Sequence, residues 1–236
     1  MISSVHLLKA IQEKQNLGVK SLAVLLDPDK IEVDALTKWI MKIPQETDYI
    51  LVGGSSVEDS KTGQIVEALK AISALPIILF PGNVNQITPH ADGILFLSLM
   101  SGENPEYLIR QQVKSVNYLK HTDLEIIPTG YILIDGGQTC TTEKVTNTKA
   151  IPQNQIEKIV DIAIAAQYSG KQLIYLEAGS GAKHPVHPDI IKKVSTSVNI
   201  PVITGGGIRT LQQKQAAYDA GADIAVMGTV FEDKSD

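Results

Sequence analysis

Residues 200–209 read IPVITGGGIR, and the reading of the fold starts from them. An apolar run, 200–203, stops at Thr204; Gly205, Gly206 and Gly207 follow, and a helix start stands at Thr210. A buried strand that ends in glycines and opens a helix exposes backbone N–H groups at the positive end of the helix dipole, which suits an anion such as phosphate. The next unit ends alike, with the apolar run 223–227 (DIAVM) before Gly228 and Thr229. In a (β/α)8 barrel the phosphate site lies in the loops after strands seven and eight. A lone GGG would mark a tight turn and no more. Two glycine-ended strands in succession, near the C-terminus of a chain of barrel length, point to phosphate binding.

The rest of the composition agrees with a barrel. A chain of 236 residues with 43% hydrophobic and 20% charged residues carries a sizeable core and is not a disordered segment. Barrels of this length run as one domain, and no linker, charge block or low-complexity tract divides residues 1–236. The net charge of −5 and pI near 5.6 argue against a nucleic-acid partner. A phosphorylated ligand therefore has to be held by local backbone dipoles rather than by a basic surface. The single Cys140 excludes an internal disulfide and a multi-cysteine zinc site, which fits a reducing cytoplasm; its setting, QTCTTEK, reads as a loop. No apolar run is long enough to span a bilayer. If a lipid is handled, the expectation is a soluble or peripheral protein.

Strand and helix patterns alternate from end to end, the signature of a parallel sheet with crossover helices. Ser3 or Ser4 caps a first amphipathic helix bearing Val5, Leu8 and Ile11. Strands are expected at 21–26, 49–52, 76–80, 93–97, 125–128 (with a continuation at 131–134), 173–177, 200–203 and 223–227. Helices are expected through Trp39, around Ile65, Leu69 and Ile72, over 107–119 after Asn104 and Pro105, around Ile156–Ala163, and between strands seven and eight. One connection breaks the rhythm. Between Phe80 and strand four lies PGNVNQITPHAD, whose two prolines and glycine interrupt any crossover helix. The third outer helix is thus missing or vestigial. Either a groove opens there or neighbouring side chains fill the gap. The polar excursion 135–150 is long enough to be a mobile active-site loop. Little chain follows strand eight, so a closing helix is short or absent.

Barrel chemistry is expected just past the strand ends. Strand one offers Asp27, strand two Ser55 and Ser56, strand six Tyr175 and Glu177. Side chains alternate along a strand, so if Glu177 faces inward Tyr175 does too, with Leu176 toward the helices. Asp27 in LLDPDK either caps a turn or serves as the single carboxylate that, with substrate oxygens and water, suffices for magnesium. A hydroxyl-bearing GGSS loop on the next strand suits that sparse donor set. Glu177 in YLEAGSGA is a candidate general base whose pKa burial would raise; the alternative is a Glu that only accepts loop N–H bonds. Tyr131 and Tyr175 either orient a substrate or are plain rim aromatics. The five histidines form no metal spacing, and GGGIRT lacks a dinucleotide fingerprint.

Taken together, LLDPDK (25–30), VGGSS (52–56), YLEAGSGA (175–182), TGGGIR (204–209) and VMGT (226–229), in this order over the whole chain, resemble the geranylgeranylglyceryl phosphate synthase family. These are prenyltransferase TIM barrels that include the bacterial PcrB-type proteins. The resemblance implies a modified barrel with an open wall at the third helix. It also implies a reaction in which the hydroxyl of sn-glycerol 1-phosphate attacks C1 of an all-trans prenyl diphosphate. Carried over residue by residue, it assigns Mg2+ to Asp27 and Ser55. It assigns the glycerol phosphate to Tyr175, Leu176, Glu177, Ala178, Gly179, Ser180 and Gly181, together with Gly206, Gly207, Gly228 and Thr229. Glu177 becomes the base and Tyr175 a catalytic partner. PcrB-type members carry a lysine two residues before the metal Asp, where Leu25 stands here, so the resemblance is to the group that uses geranylgeranyl diphosphate. It further implies a homo-oligomer.

Two rivals keep their place on the residues alone. One is another phosphate-binding barrel enzyme, an isomerase, epimerase or thiamin-phosphate-type synthase, which needs an acid/base pair across its substrate. The other is a barrel that binds phosphate or prenyl lipid without turnover.

Overall fold

The computed structural model describes residues 6–54 and 61–232. Eight parallel strands close in sequence order: β1 Ser21–Leu26, β2 Thr47–Val52, β3 Ile77–Leu79, β4 Gly93–Leu99, β5 Glu125–Leu133, β6 Leu173–Glu177, β7 Val202–Gly205 and β8 Ile224–Met227, with β8 pairing back on β1. The helices are α1 Leu7–Asn16, α2 Leu36–Ile40, α3 Lys61–Ile72, α4 Gln111–Leu119, α5 Thr141–Thr146, α6 Ile156–Tyr168, α7 Pro188–Ser197 and α8 Leu211–Asp219.

The period-two alternation of the strands sorts their side chains into two cores. Leu22, Val24, Leu26, Ile174, Leu176 and Val202 face the helices. Ala23, Tyr49, Leu51, Leu173, Tyr175 and Ile203 fill the barrel. Helix α1 belongs to the second set: Leu7 and Ile11 pack into the barrel interior and close its floor. Its N-terminus is held by Glu125, whose Oε1 accepts from the Leu8 N–H at 2.9 Å. The proposed caps Ser3 and Ser4, and Val5, lie outside the described residues; His6 occupies the N-cap position and makes no side-chain bond there. Acids at the floor complete the sheet edge, Asp48 accepting from the Leu22 N–H, Asp92 from Ile77 and Asp223 from Val202, all at 2.8–2.9 Å.

Three expectations are corrected by the structure. Strand β7 is Val202–Gly205, not 200–203, because Pro201 has no N–H to give a ladder. Strand β5 runs unbroken through Pro128, whose carbonyl still accepts from the Gln172 N–H at 2.7 Å. The QTCTTEK setting of Cys140 is not loop throughout: Cys140 is buried at the N-cap of α5. Glu143 ties the segment together by accepting from the Cys140 N–H at 3.0 Å and the Ala150 N–H at 3.1 Å.

Between β3 and β4 no α-helix forms. Residues Val84–Gln86 make one 3-10 turn, with Asn83 Oδ1 accepting from the Asn85 N–H at 2.8 Å. Among the described residues, a turn closed by the Phe231 N–H on the Gly228 carbonyl, rather than a helix, follows β8.

Candidate active site

A cavity of about 270 Å3 opens at the C-terminal end of the strands. One end is polar. Gly206, Gly207, Gly228 and Thr229 line it, and no acceptor among the described residues meets their N–H groups. Gly206 and Gly207 have φ of +80° and +74°, backbone that glycine adopts without strain and that turns successive amides to one side. Ser180, Gly181 and Arg209 border the same end, the Arg209 guanidinium donating to the Gly181 carbonyl at 3.2 Å.

The other end is apolar and runs out through the barrel wall. Leu95, Leu97 and Leu99 line it from inside, while Ile94 and Phe96, with Val84 and Ile87 of the 3-10 segment, line it where the third helix is missing. Gln112 and Ser115 of α4 form the far bank. The gap is therefore a groove. Thr142, Val145 and Thr146 place α5 over the same cavity.

Glu177 sits between the two ends. It ends β6 in register with Gly205 of β7, and it lines the cavity although its side chain is buried. Its Oε1 accepts from the Gly179 N–H at 2.7 Å. Burial pushes the carboxyl from its ordinary 4.5 to about 7, while the Gly179 N–H and the neighbouring Tyr175 hydroxyl pull the other way. The Tyr175 hydroxyl meets no partner at hydrogen-bonding geometry, so its pull is that of a nearby dipole. Tyr175 is fully buried one layer beneath the cavity, stacked on Phe80 with ring centroids 5.0 Å apart. Tyr131 leans on both rings and reaches the cavity surface. Burial and the adjacent Glu177 hold both phenols well above their ordinary range, so they stay protonated donors.

The side chains of Leu176 and Ala178 point into the helix-facing core, so they can meet a ligand only through their backbone. Gly179 packs against Cys140, which a Cβ at Gly179 would approach to 2.6 Å. That gives Cys140 a packing role that its polar neighbours in sequence do not reveal.

Asp27 follows β1 at the cavity's edge and caps the next turn, its Oδ1 accepting from the Asp29 N–H at 3.1 Å. Partial burial raises its carboxyl pKa, against the pull of that N–H and of Lys30. Lys30 lies between Asp27, at 3.7 Å, and Glu232, at 2.8 Å. Gly54 leaves open the space beside Asp27 that a Cβ would fill at 3.0 Å from Oδ1. Ser55 and Ser56 lie outside the described residues. Among the described residues no three His, Cys, Asp or Glu side chains cluster to hold a metal. One carboxylate with open space beside it fits magnesium completed by substrate oxygens and water, and does not fit zinc.

A family model described as the PcrB family matches residues 14–236. Geranylgeranylglyceryl phosphate synthase of Zunongwangia profunda is 49% identical over 226 residues, covering 96% of this chain and 97% of its own. The protein of the same name from Flavobacterium johnsoniae is 45% identical, covering 100% and 96%. The crystal structure of (S)-3-O-geranylgeranylglyceryl phosphate synthase from Thermoplasma acidophilum, in complex with substrate sn-glycerol-1-phosphate, superposes with a TM-score of 0.89 at 34% identity, covering 98% of this chain and 93% of that one. Likeness of this extent, in sequence and in backbone alike, makes this chain a member of the PcrB family.

Proposed function

We propose that this protein is a prenyltransferase that joins sn-glycerol 1-phosphate to geranylgeranyl diphosphate through an ether bond, releasing diphosphate. The observation that carries the reading is one cavity holding unpaired glycine amides at one end, an apolar groove at the other, and a buried carboxylate between them. The relatives' names and the sn-glycerol-1-phosphate complex of the Thermoplasma acidophilum protein support the choice of substrates.

The amides of Gly206, Gly207, Gly228 and Thr229 take the phosphate, which fixes the alcohol end of the small substrate over Glu177. Glu177 removes the hydroxyl proton, the oxygen bonds to C1 of the prenyl chain, and the C1–O bond to the diphosphate breaks with its electron pair leaving on oxygen. A carboxylate with a pKa near 7 is a stronger base than an ordinary one and keeps about half of its population ionised at neutral pH. The groove takes the prenyl tail, with about 0.8 kcal/mol gained per buried CH2. Asp27, with Ser55 by the family resemblance, are the residues that would hold magnesium, which when bound neutralises charge on the leaving diphosphate. Lys30 adds a fixed positive charge at the same end.

An isomerase or epimerase would need a second acid/base group across from Glu177. Among the described residues the other cavity carboxylates are Asp27 and Glu232, both engaged by Lys30, so that reading has less support. Incubation with radiolabelled sn-glycerol 1-phosphate and prenyl diphosphates of several lengths tests the proposal. Label is expected to pass into an organic-extractable ether, best with the geranylgeranyl donor, and no transfer with any donor rejects the reading.

A further inference from the structure

We propose that Gln86 is a positioning residue: it clamps the Gly54 peptide against the Asp27 carboxylate and thereby sets the end of the cavity that takes the diphosphate. The inference rests on the functional reading above.

Gln86 belongs to the short turn that stands where the third helix is missing. Its neighbours are polar and proline-rich, yet its side chain is 1% exposed. A buried primary amide must place its donors and acceptor or lose stability. Gln86 spends one of each on a single residue. Its Oε1 accepts from the Gly54 N–H at 3.3 Å, and its Nε2 donates to the Gly54 carbonyl at 2.8 Å. The pair copies what a neighbouring strand would offer a backbone, at a point where the chain has left the sheet.

What is clamped matters because of what lies on its other side. A Cβ at Gly54 would stand 3.0 Å from Asp27 Oδ1 and 3.3 Å from Oδ2. The loop cannot slide to avoid the carboxylate, since the preceding Gly53 donates to the Leu26 carbonyl at 3.1 Å. A Cβ on Gly53 would meet the Phe80 carbonyl oxygen at 1.9 Å. The turn carrying Gln86 is itself tied to α4, the Val84 N–H donating to Gln111 Oε1 at 3.3 Å. Gln86 therefore links the groove's outer bank to the loop that borders Asp27. Being neutral, it does so without drawing a cation away from Asp27 or repelling a diphosphate.

The test uses the full chain and two substitutions. Gln86→Leu keeps the bulk and removes both hydrogen bonds; Gln86→Met keeps the chain length and the neutral charge and removes both as well. Titration calorimetry measures inorganic diphosphate with Mg2+, and sn-glycerol 1-phosphate separately, with thermal melting to confirm the fold. Steady-state kinetics give KM for each substrate. Losing two hydrogen bonds at the loop is expected to weaken diphosphate binding at least about tenfold and raise the prenyl diphosphate KM in parallel. Glycerol phosphate affinity is expected to stay within about twofold, because its amides lie on β7 and β8. Equal losses for both ligands, or an unchanged diphosphate Kd in a folded variant, would overturn the proposal. If Gln86→Leu does not fold, Gln86→Met, equally neutral, decides by the same criterion. A wild type that binds no diphosphate instead removes the functional reading, and this inference with it.

Discussion

Replacing Glu177 with Gln tests the buried base through stability as well as through activity. A carboxyl whose pKa rises from 4.5 to about 7 on folding binds more protons in the folded than in the unfolded state between those values. Stability therefore falls as pH rises across that window, and the cost is complete above about pH 7. A shift of this size, at 1.36 kcal/mol per unit, makes ionised Glu177 cost about 3 kcal/mol at pH 8, and under about 1 kcal/mol at pH 5. Glutamine is neutral at both pH values and nearly the same shape. Its amide oxygen can keep the Gly179 N–H, and its new NH2 finds the unpartnered Tyr175 hydroxyl as an acceptor. In the ligand-free protein, Glu177→Gln should thus melt roughly 5–10 °C above wild type at pH 8 and close to wild type at pH 5. Transfer should fall at least about a hundredfold while glycerol phosphate still binds. Calorimetric melting at the two pH values is the assay. A variant no more stable at pH 8 than at pH 5, relative to wild type, would refute the buried-charge account even if activity were lost.

The same ionisation predicts that wild-type kcat/KM rises with pH and levels off above about 7; a profile flat from pH 5 to 9 would exclude Glu177 as base. Gly206→Ala puts a Cβ at φ +80° and 2.5 Å from Glu177 Oε1, so glycerol phosphate affinity by calorimetry should drop at least about tenfold. Asp27→Asn should remove most turnover, and excess chelator should do the same to wild type. Full turnover in chelator would reject the magnesium assignment.

How much of this was legible before the structure depends on whether the signal was local. Strands β1 and β6 are found at the residues that apolar runs and their terminal acids mark, because each strand's end is written in its own sequence. The inward face of Glu177 follows from alternation once Tyr175 and Leu176 are placed on opposite sides. The missing helix is likewise local, since prolines forbid it. Gln86 was not legible: its partner is 32 positions away, and nothing in PGNVNQITPH marks a glutamine that turns inward. The same holds for Phe80, which stacks on Tyr175 across the barrel. Cys140 looks like loop because its neighbours are polar, while the contact that buries it is with Gly179.

The glycines of β7 carry a meaning that sequence reading assigns only in part. Read as phosphate donors, they matter for their N–H groups. In the structure they also make room, for a Cβ on Gly205 would stand 2.5 Å from the Tyr175 hydroxyl and 3.0 Å from Glu177 Oε2. Gly205 lies within the strand and lacks a positive φ, so alanine is compatible with its backbone. Gly205→Ala therefore separates the two roles, keeping every amide while filling the space beside the acid. The Cβ meets the Tyr175 hydroxyl first, so that ring, packed against Phe80, and the Glu177 carboxylate beside it must both shift to admit the methyl group. A displacement of order 1 Å at the base costs about a hundredfold in rate. We expect kcat to fall roughly that far, with the Kd for glycerol phosphate within about threefold of wild type, measured on a protein whose melting shows it folded. A variant with full kcat would mean that the acid needs no fixed seat and that glycine is there for its N–H alone.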